Sequence, residues 1–144
     1  MKTNLYLMLV LGLSFNLVAQ SISQLLENYL GALKGSMHGG STSADIEKLT
    51  DLYSDNITYE HPKFGMQIQD KSEVSKGLNA FLKSYGGTIA DVRLDLSNQL
   101  VGEQAIAIQF QIRFLTADQK EVVRNQIQVL EIQEGKIRRI IDYW

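Results

Sequence analysis

The apolar residues of this 144-residue chain pass from mainly helical to strand-like spacing at Gly86-Gly87. C-terminal to that point they alternate. Val92, Leu94 and Leu96 are separated by Asp91, Arg93 and Asp95. Ile106, Ile108, Phe110, Ile112 and Phe114 are separated by Ala107, Gln109, Gln111 and Arg113. A period of two is that of a strand with one covered face. Two further strands are predicted over about 121–133 and 136–144, joined by a Glu134-Gly135 turn. N-terminal to the switch the spacing is helical. Ile22, Leu25, Leu26, Tyr29, Leu30 and Leu33 form one stripe, and Ile46, Leu49, Leu52 and Tyr53 a second. Val74, Leu78, Phe81, Leu82 and Tyr85 form a third. Gly35 to Ser43 reads as a flexible Gly/Ser connector, with Thr42 or Ser43 capping the second helix. Asp70 and Glu73 resemble a capping box opening the third, which Gly86-Gly87 ends. Between the second and third helices, Asp55-Asn56 reads as a turn. Ile57, Tyr59 and His61 then share one face of a short strand that Pro62 stops.

The predicted order is helix, helix, short strand, helix and four long strands. Helices segregated from a mostly antiparallel sheet indicate an α+β fold in which the helices cover one sheet face. A strongly twisted sheet folded over helices leaves a cone with a pocket in it.

Length and composition suit one domain with a real core. Lys2 precedes an apolar run of about 14 residues, Leu5 to Val18, followed by Ala19. That is the pattern of a secretory signal peptide over residues 1–19, cleaved after Ala19 to leave a domain of residues 20–144. The run is short of the roughly 20 apolar residues that a membrane span needs. A secreted or periplasmic protein without a membrane contact after cleavage is expected. The chain has no cysteine, so no disulfide scaffold supports it. The mature chain would carry 13 basic and 16 acidic residues, a net charge of −3 that argues against nucleic acid as a partner. Arg138-Arg139 makes no basic face, because neighbours on a strand point to opposite sides. There are two histidines. His38 falls in the Gly/Ser connector, and Glu60 and His61 point apart, so no metal site is expected. No phosphate-binding glycine loop or dinucleotide fingerprint occurs, and no cofactor is expected.

The element order, the stretch Leu52 to Gly65 and the ending Gly135 to Trp144 resemble the nuclear-transport-factor-2-like superfamily. Within it the sequence is similar to SnoaL-like polyketide cyclases and ketosteroid isomerases, over essentially all of residues 21–144. The resemblance implies a cystatin-like roll: three N-terminal helices packed on a strongly curved sheet. It also implies a pocket for a small apolar or amphipathic molecule. Ketosteroid isomerases place an Asp general base immediately before a Pro, and His61 holds that position here. They place a tyrosine donor on the first helix, which is Tyr29 here, and a protonated Asp on the penultimate strand, where Gln128 falls. Of these three residue types only the tyrosine is retained here.

Each candidate has an ordinary reading beside the chemical one. His61 is either a general base, since an imidazole titrates near neutrality, or a core-edge histidine satisfied by a neighbouring carbonyl or carboxylate. Tyr29 is either a donor to a forming oxyanion or a packed helix-face tyrosine. Asp142 is either an acid, base or orienter of His61, or a surface carboxylate, the commoner fate of an aspartate. Tyr59, Phe110, Arg124, Gln126 and Trp144 are the expected ligand contacts, Trp144 at the pocket rim. On the penultimate strand, Arg124, Gln126, Gln128, Leu130 and Ile132 share one parity, and Val123, Asn125, Ile127 and Val129 the other. If the first set faces inward, the pocket gains a polar wall and the second set becomes an apolar outer patch suited to a homodimer. Periodicity alone favours the reverse. Three functions follow: cofactor-free proton transfer, non-catalytic ligand carriage, or assembly through the outer face.

Overall fold

A computed structural model of the chain describes residues 22–85 and 90–144. The predicted leader, the Gly86-Gly87 stop and the side chains of Leu82 and Tyr85 lie outside what is described. Helix α1 covers residues 22–37 and α2 covers Ser43–Thr50. Strand β1 (Tyr53–His61), a 3-10 turn (Pro62–Phe64) and strand β2 (Met66–Gln69) follow, then α3 (Lys71–Tyr85). The chain ends in β3 (Ala90–Val101), β4 (Ala105–Leu115), β5 (Glu121–Gln133) and β6 (Lys136–Tyr143). The six strands form one sheet in the order β2-β1-β6-β5-β4-β3. Only β1 and β6 pair in parallel, and the other neighbours are antiparallel. The expected α+β architecture of three helices on a curled, mostly antiparallel sheet is therefore present.

Alternation decides which side each strand buries. Ile106, Ile108, Phe110 and Ile112 of β4 are inside, facing Tyr29, Leu26 and Leu49 from the helices in one apolar cluster. On β5 the polar-looking parity wins: Gln126, Gln128, Leu130 and Ile132 are buried, while Val123 and Ile127 are 45% and 47% exposed. The sheet curls over the helices, so only its concave side can be covered, and β5 must offer that side the set in register with buried Ile108 and Ile140. The β5–β6 reversal turns on Glu134 and Gly135, at φ 53 and 73, the left-handed pair that a tight hairpin requires.

Several local expectations are corrected. Helix α1 runs through Gly35 and Ser36 to residue 37, where the sequence reads as connector. Ser36 is buried and its hydroxyl donates to the Leu33 carbonyl at 2.8 Å, while Met37 packs on the core, so tertiary contact outweighs weak helix propensity. Helix α2 stops at Thr50, and Tyr53 opens β1 instead of closing the helix. Thr42 caps α2: its N–H donates to Asp45 Oδ2 at 2.9 Å, a bond that holds the Asp45 carboxyl down at about 2. Asp55-Asn56 is not a turn. It lies inside β1, where the pairing with β6 slips between Tyr53 and Thr58, and this irregularity keeps the two polar residues outside. Strand β2 was not anticipated, because Met66 to Gln69 buries only Ile68, and that only in part. At α3 the Asp70 carboxylate accepts the Ser72 N–H at 2.5 Å. Its own N–H is taken by the Ile57 carbonyl, so Glu73 pairs with Lys76 instead of closing a box. Phe81, expected in the buried stripe of α3, is 41% exposed.

Arg138 and Arg139 do not point apart. A register shift beside Glu131 brings both guanidinium groups to that carboxylate at 2.9 Å, and Arg139 also grips Glu60 at 2.9 and 3.0 Å. The fork ties β1, β6 and β5 together on the outer face.

Candidate functional site

His61 ends β1, with its side chain on the concave face like those of Ile57 and Tyr59. Pro62 cannot extend the ladder, so the chain turns through Pro62–Phe64 and Gly65, at φ 60, and pairs back with Met66 opposite His61. The turn lays Phe64 against the imidazole, with ring centroids 4.5 Å apart. Trp144 closes the other side edge-on at 4.6 Å. The imidazole is only 1% exposed, and neither ring nitrogen has a hydrogen-bond partner among the described residues. That departs from both readings of the sequence. His61 is neither tied to a carbonyl as a structural histidine nor open to solvent. A buried polar atom left unpaired costs about 1–3 kcal/mol, so an imidazole with two of them is kept for something other than stability.

Asp142 of β6 is the second surprise. It is 4% exposed, not the surface carboxylate that composition favours. Tyr59, paired with Ile140 two positions before Asp142, donates its hydroxyl to Oδ2 at 2.9 Å, while Oδ1 has no hydrogen-bond partner among the described residues. Burial pushes the carboxyl pKa above its ordinary value, against the opposing pull of the Tyr59 hydroxyl, Gln128, His61 and Trp144. Gln128 stands directly across the β5–β6 ladder from Asp142. Its Oε1 accepts the Tyr29 hydroxyl at 2.8 Å in a fully buried contact between α1 and β5. Tyr29, Tyr53 and Tyr59 crowd the same place, and burial, followed by charge on Asp142 or a neighbouring tyrosine, holds all three phenols above their ordinary range.

Three strands and one helix thus deliver Tyr29, Tyr59, His61, Gln128 and Asp142 to one buried polar cluster inside an apolar core. Gln126 is buried beside it, paired across the ladder with Phe110. Phe110, an expected ligand contact, is 1% exposed within the core cluster. Arg124 shares the inward parity but emerges at the rim, its guanidinium 5.5 Å from the Trp144 ring centroid and 5.9 Å from that of Phe114. Sequence reasoning missed Lys63, Phe64 and Tyr53. The Pro-x-x-Gly spacing from Pro62 to Gly65 was the available sign that the chain doubles back over His61. His38 is exposed as expected and accepts the Gly40 N–H. An open surface groove of about 660 Å³ lies elsewhere, lined by Gly31, Lys34, His38, Asp91 and Val92 among others, and shares no residue with the buried cluster.

One consequence can be tested directly. A raised carboxyl pKa means the folded state holds the Asp142 proton more tightly than the unfolded chain. The neutral form carries no penalty at low pH. Stability contributed at this site falls as pH rises from the ordinary value of 3.8 through the raised one. Asp142→Asn is expected to stabilise the protein at pH 7 by about 1–3 kcal/mol, a gain that vanishes below the ordinary carboxylate range. Urea midpoints of both proteins across pH 3 to 8 measure it, and a gain that does not change with pH would contradict a buried titrating carboxyl.

The model of the SnoaL-like domain matches residues 37–140. The chain belongs to this family. Solved structures agree on the fold of this SnoaL-like domain. An NTF2-like protein from Anabaena variabilis is 14% identical, over 85% of this chain and 88% of its own, with a TM-score of 0.68. An epoxide hydrolase from M. tuberculosis is 16% identical, over 87% and 83%, with a TM-score of 0.65. A protein with a ketosteroid isomerase-like fold from Catenulispora acidiphila, in complex with trimethylamine, is 13% identical, over 83% and 84%, with a TM-score of 0.64. Identities this low speak for the fold alone. No functionally curated protein is similar enough in sequence to count as a relative of this SnoaL-like domain.

Proposed function

We propose that this SnoaL-like domain is an exported small-molecule-binding protein that moves a proton on its ligand without a cofactor, in an isomerisation, cyclisation or dehydration. The observation that carries the reading is the imidazole of His61, buried with both nitrogens unpartnered among the described residues, beside a carboxyl that burial drives toward its neutral form. His61 would take a proton from carbon next to a carbonyl. The electron pair would pass to the carbonyl oxygen, stabilised by a proton-bearing Asp142 or by the Tyr29 hydroxyl turned from Gln128, and His61 would return the proton at a second position. Phe64 and Trp144, 59% and 42% exposed, form the barrier that a ligand must displace. Export to a secreted or periplasmic location rests on the Lys2-to-Ala19 pattern. Among the described residues no helix is long and apolar enough to cross a membrane.

The test is deuterium exchange. A panel of small ketones and enones is incubated in heavy water with the mature protein, and loss of the carbon-bound proton signal is followed by NMR. Exchange faster than with the His61→Ala protein supports the reading, and none across the panel counts against catalysis.

A carrier role on the same pocket is favoured by one observation, the near-complete enclosure of His61, which suits holding a ligand more than releasing product. Val123, Ile127 and Tyr143, half-exposed on the outer face with Ile127 opposite Tyr143, support a homodimer through that face. Ile127→Lys is expected to convert such a dimer to monomer in sedimentation, with the fold intact. An unchanged sedimentation coefficient would leave the patch without that role.

A further inference from the structure

Two cations meet at the mouth of the buried cluster. Lys63, on the turn after His61, places Nζ 5.9 Å from the Trp144 ring centroid and 5.5 Å from that of Phe64. Arg124, from β5, reaches the same Trp144 ring at 5.5 Å. Among the described residues neither has a carboxylate within ion-pair distance, whereas Lys71, Arg93, Arg113, Arg138 and Arg139 all do. In a chain of net charge −2, two cations without acidic partners sharing one aromatic ring form a local positive field. Behind the same ring lie His61, 4.6 Å from Trp144, and the unpartnered Oδ1 of Asp142, both buried polar groups directed inward.

We infer that the ligand of this site is a monoanionic amphiphile, an apolar body ending in one carboxylate, with the carboxylate held at the mouth by Arg124 and Lys63. The inference rests on the reading that the His61 cluster receives a small molecule. The guanidinium fork matches a carboxylate in two parallel hydrogen bonds, and the ammonium adds a point charge beside it. Both cations can keep their stacking on Trp144 while they bind the anion. The apolar body enters past Phe64 and Trp144 toward His61. Both cations lie at the mouth and the interior behind them is largely apolar, so the ligand's charge sits at the outer end.

Octanoate and 1-octanol, matched in length, test this at pH 7 and low salt. Trp144 is the only tryptophan, so its emission reports the mouth. With two histidines in the chain, the His61 ring protons can be followed separately by NMR and report the interior. Octanoate is expected to move both signals and to bind at least tenfold more tightly than octanol. That preference should fall as salt screens the exposed cations. Lys63→Met with Arg124→Met, both at exposed positions, should erase the preference for octanoate over octanol. Equal affinity for the two probes, or a preference that survives the double substitution, overturns the charged mouth and leaves the pocket standing. If neither probe moves the His61 signals, the pocket reading itself fails and the inference falls with it.

Discussion

His61→Ala is expected to slow proton transfer by about 10²–10⁴-fold, the usual effect of removing a positioned general base, while ligand affinity stays within about tenfold. The asymmetry follows from the surroundings. Among the described residues the imidazole has no hydrogen-bond partner, so its loss removes no contact of that kind. Its packing against Phe64 and Trp144 is the main structural debt, and His61→Gln, which keeps bulk and a polar end, controls for it. Exchange rates in heavy water give the catalytic arm, and titration of Trp144 emission gives the binding arm. A parallel fall of rate and affinity would mean that His61 shapes the cavity and moves no proton. Intact turnover in the alanine variant would pass the role to Asp142, the buried carboxyl of the same cluster.

Leu130→Ala is expected to cost about 2–5 kcal/mol of stability, and Ile127→Ala, three positions earlier on the same strand, within about 0.5 kcal/mol of nothing. Leu130 is fully buried between Ile106 of β4 and Ile140 of β6, themselves fully or almost fully buried, so truncation leaves a cavity that two rigid strands cannot close. Ile127 is 47% exposed on the convex side and loses only surface contacts, except where a partner covers it. Denaturant midpoints for the two variants at low protein concentration measure the contrast. It is also a test of face assignment, because equal costs, or the reverse order, would mean that β5 presents its Val123–Ile127 parity to the core.

The same strand shows where sequence reasoning stops. Counting apolar residues along β5 favours burying Val123, Ile127 and Val129, since glutamine ordinarily faces water. The structure buries Gln126 and Gln128 because Tyr29 from α1 hands Gln128 a hydrogen bond at 2.8 Å. That partner lies 99 residues away in the chain, and no local pattern can announce it. Asp142 was misjudged for the same reason: Tyr59, 83 residues earlier, makes its burial tolerable. Only the resemblance to ketosteroid isomerases, which aligned Gln128 with an inward acid, pointed the right way.

Local chemistry by itself determined the helix stripes, the long alternating strands, the Glu134-Gly135 reversal and the placing of Ile57, Tyr59 and His61 on one face. These depend on periods of 3.6 and 2 and on backbone freedom at single residues, which a sequence displays directly. Tertiary structure decided which face of β5 is inside, that Arg138 and Arg139 converge on Glu131, that the Pro62–Gly65 turn folds Phe64 over His61, and that His61 keeps both nitrogens without a partner among the described residues. Each of those outcomes depends on a register slip or a contact between distant segments, whose energy exists only once the sheet has curled over its helices.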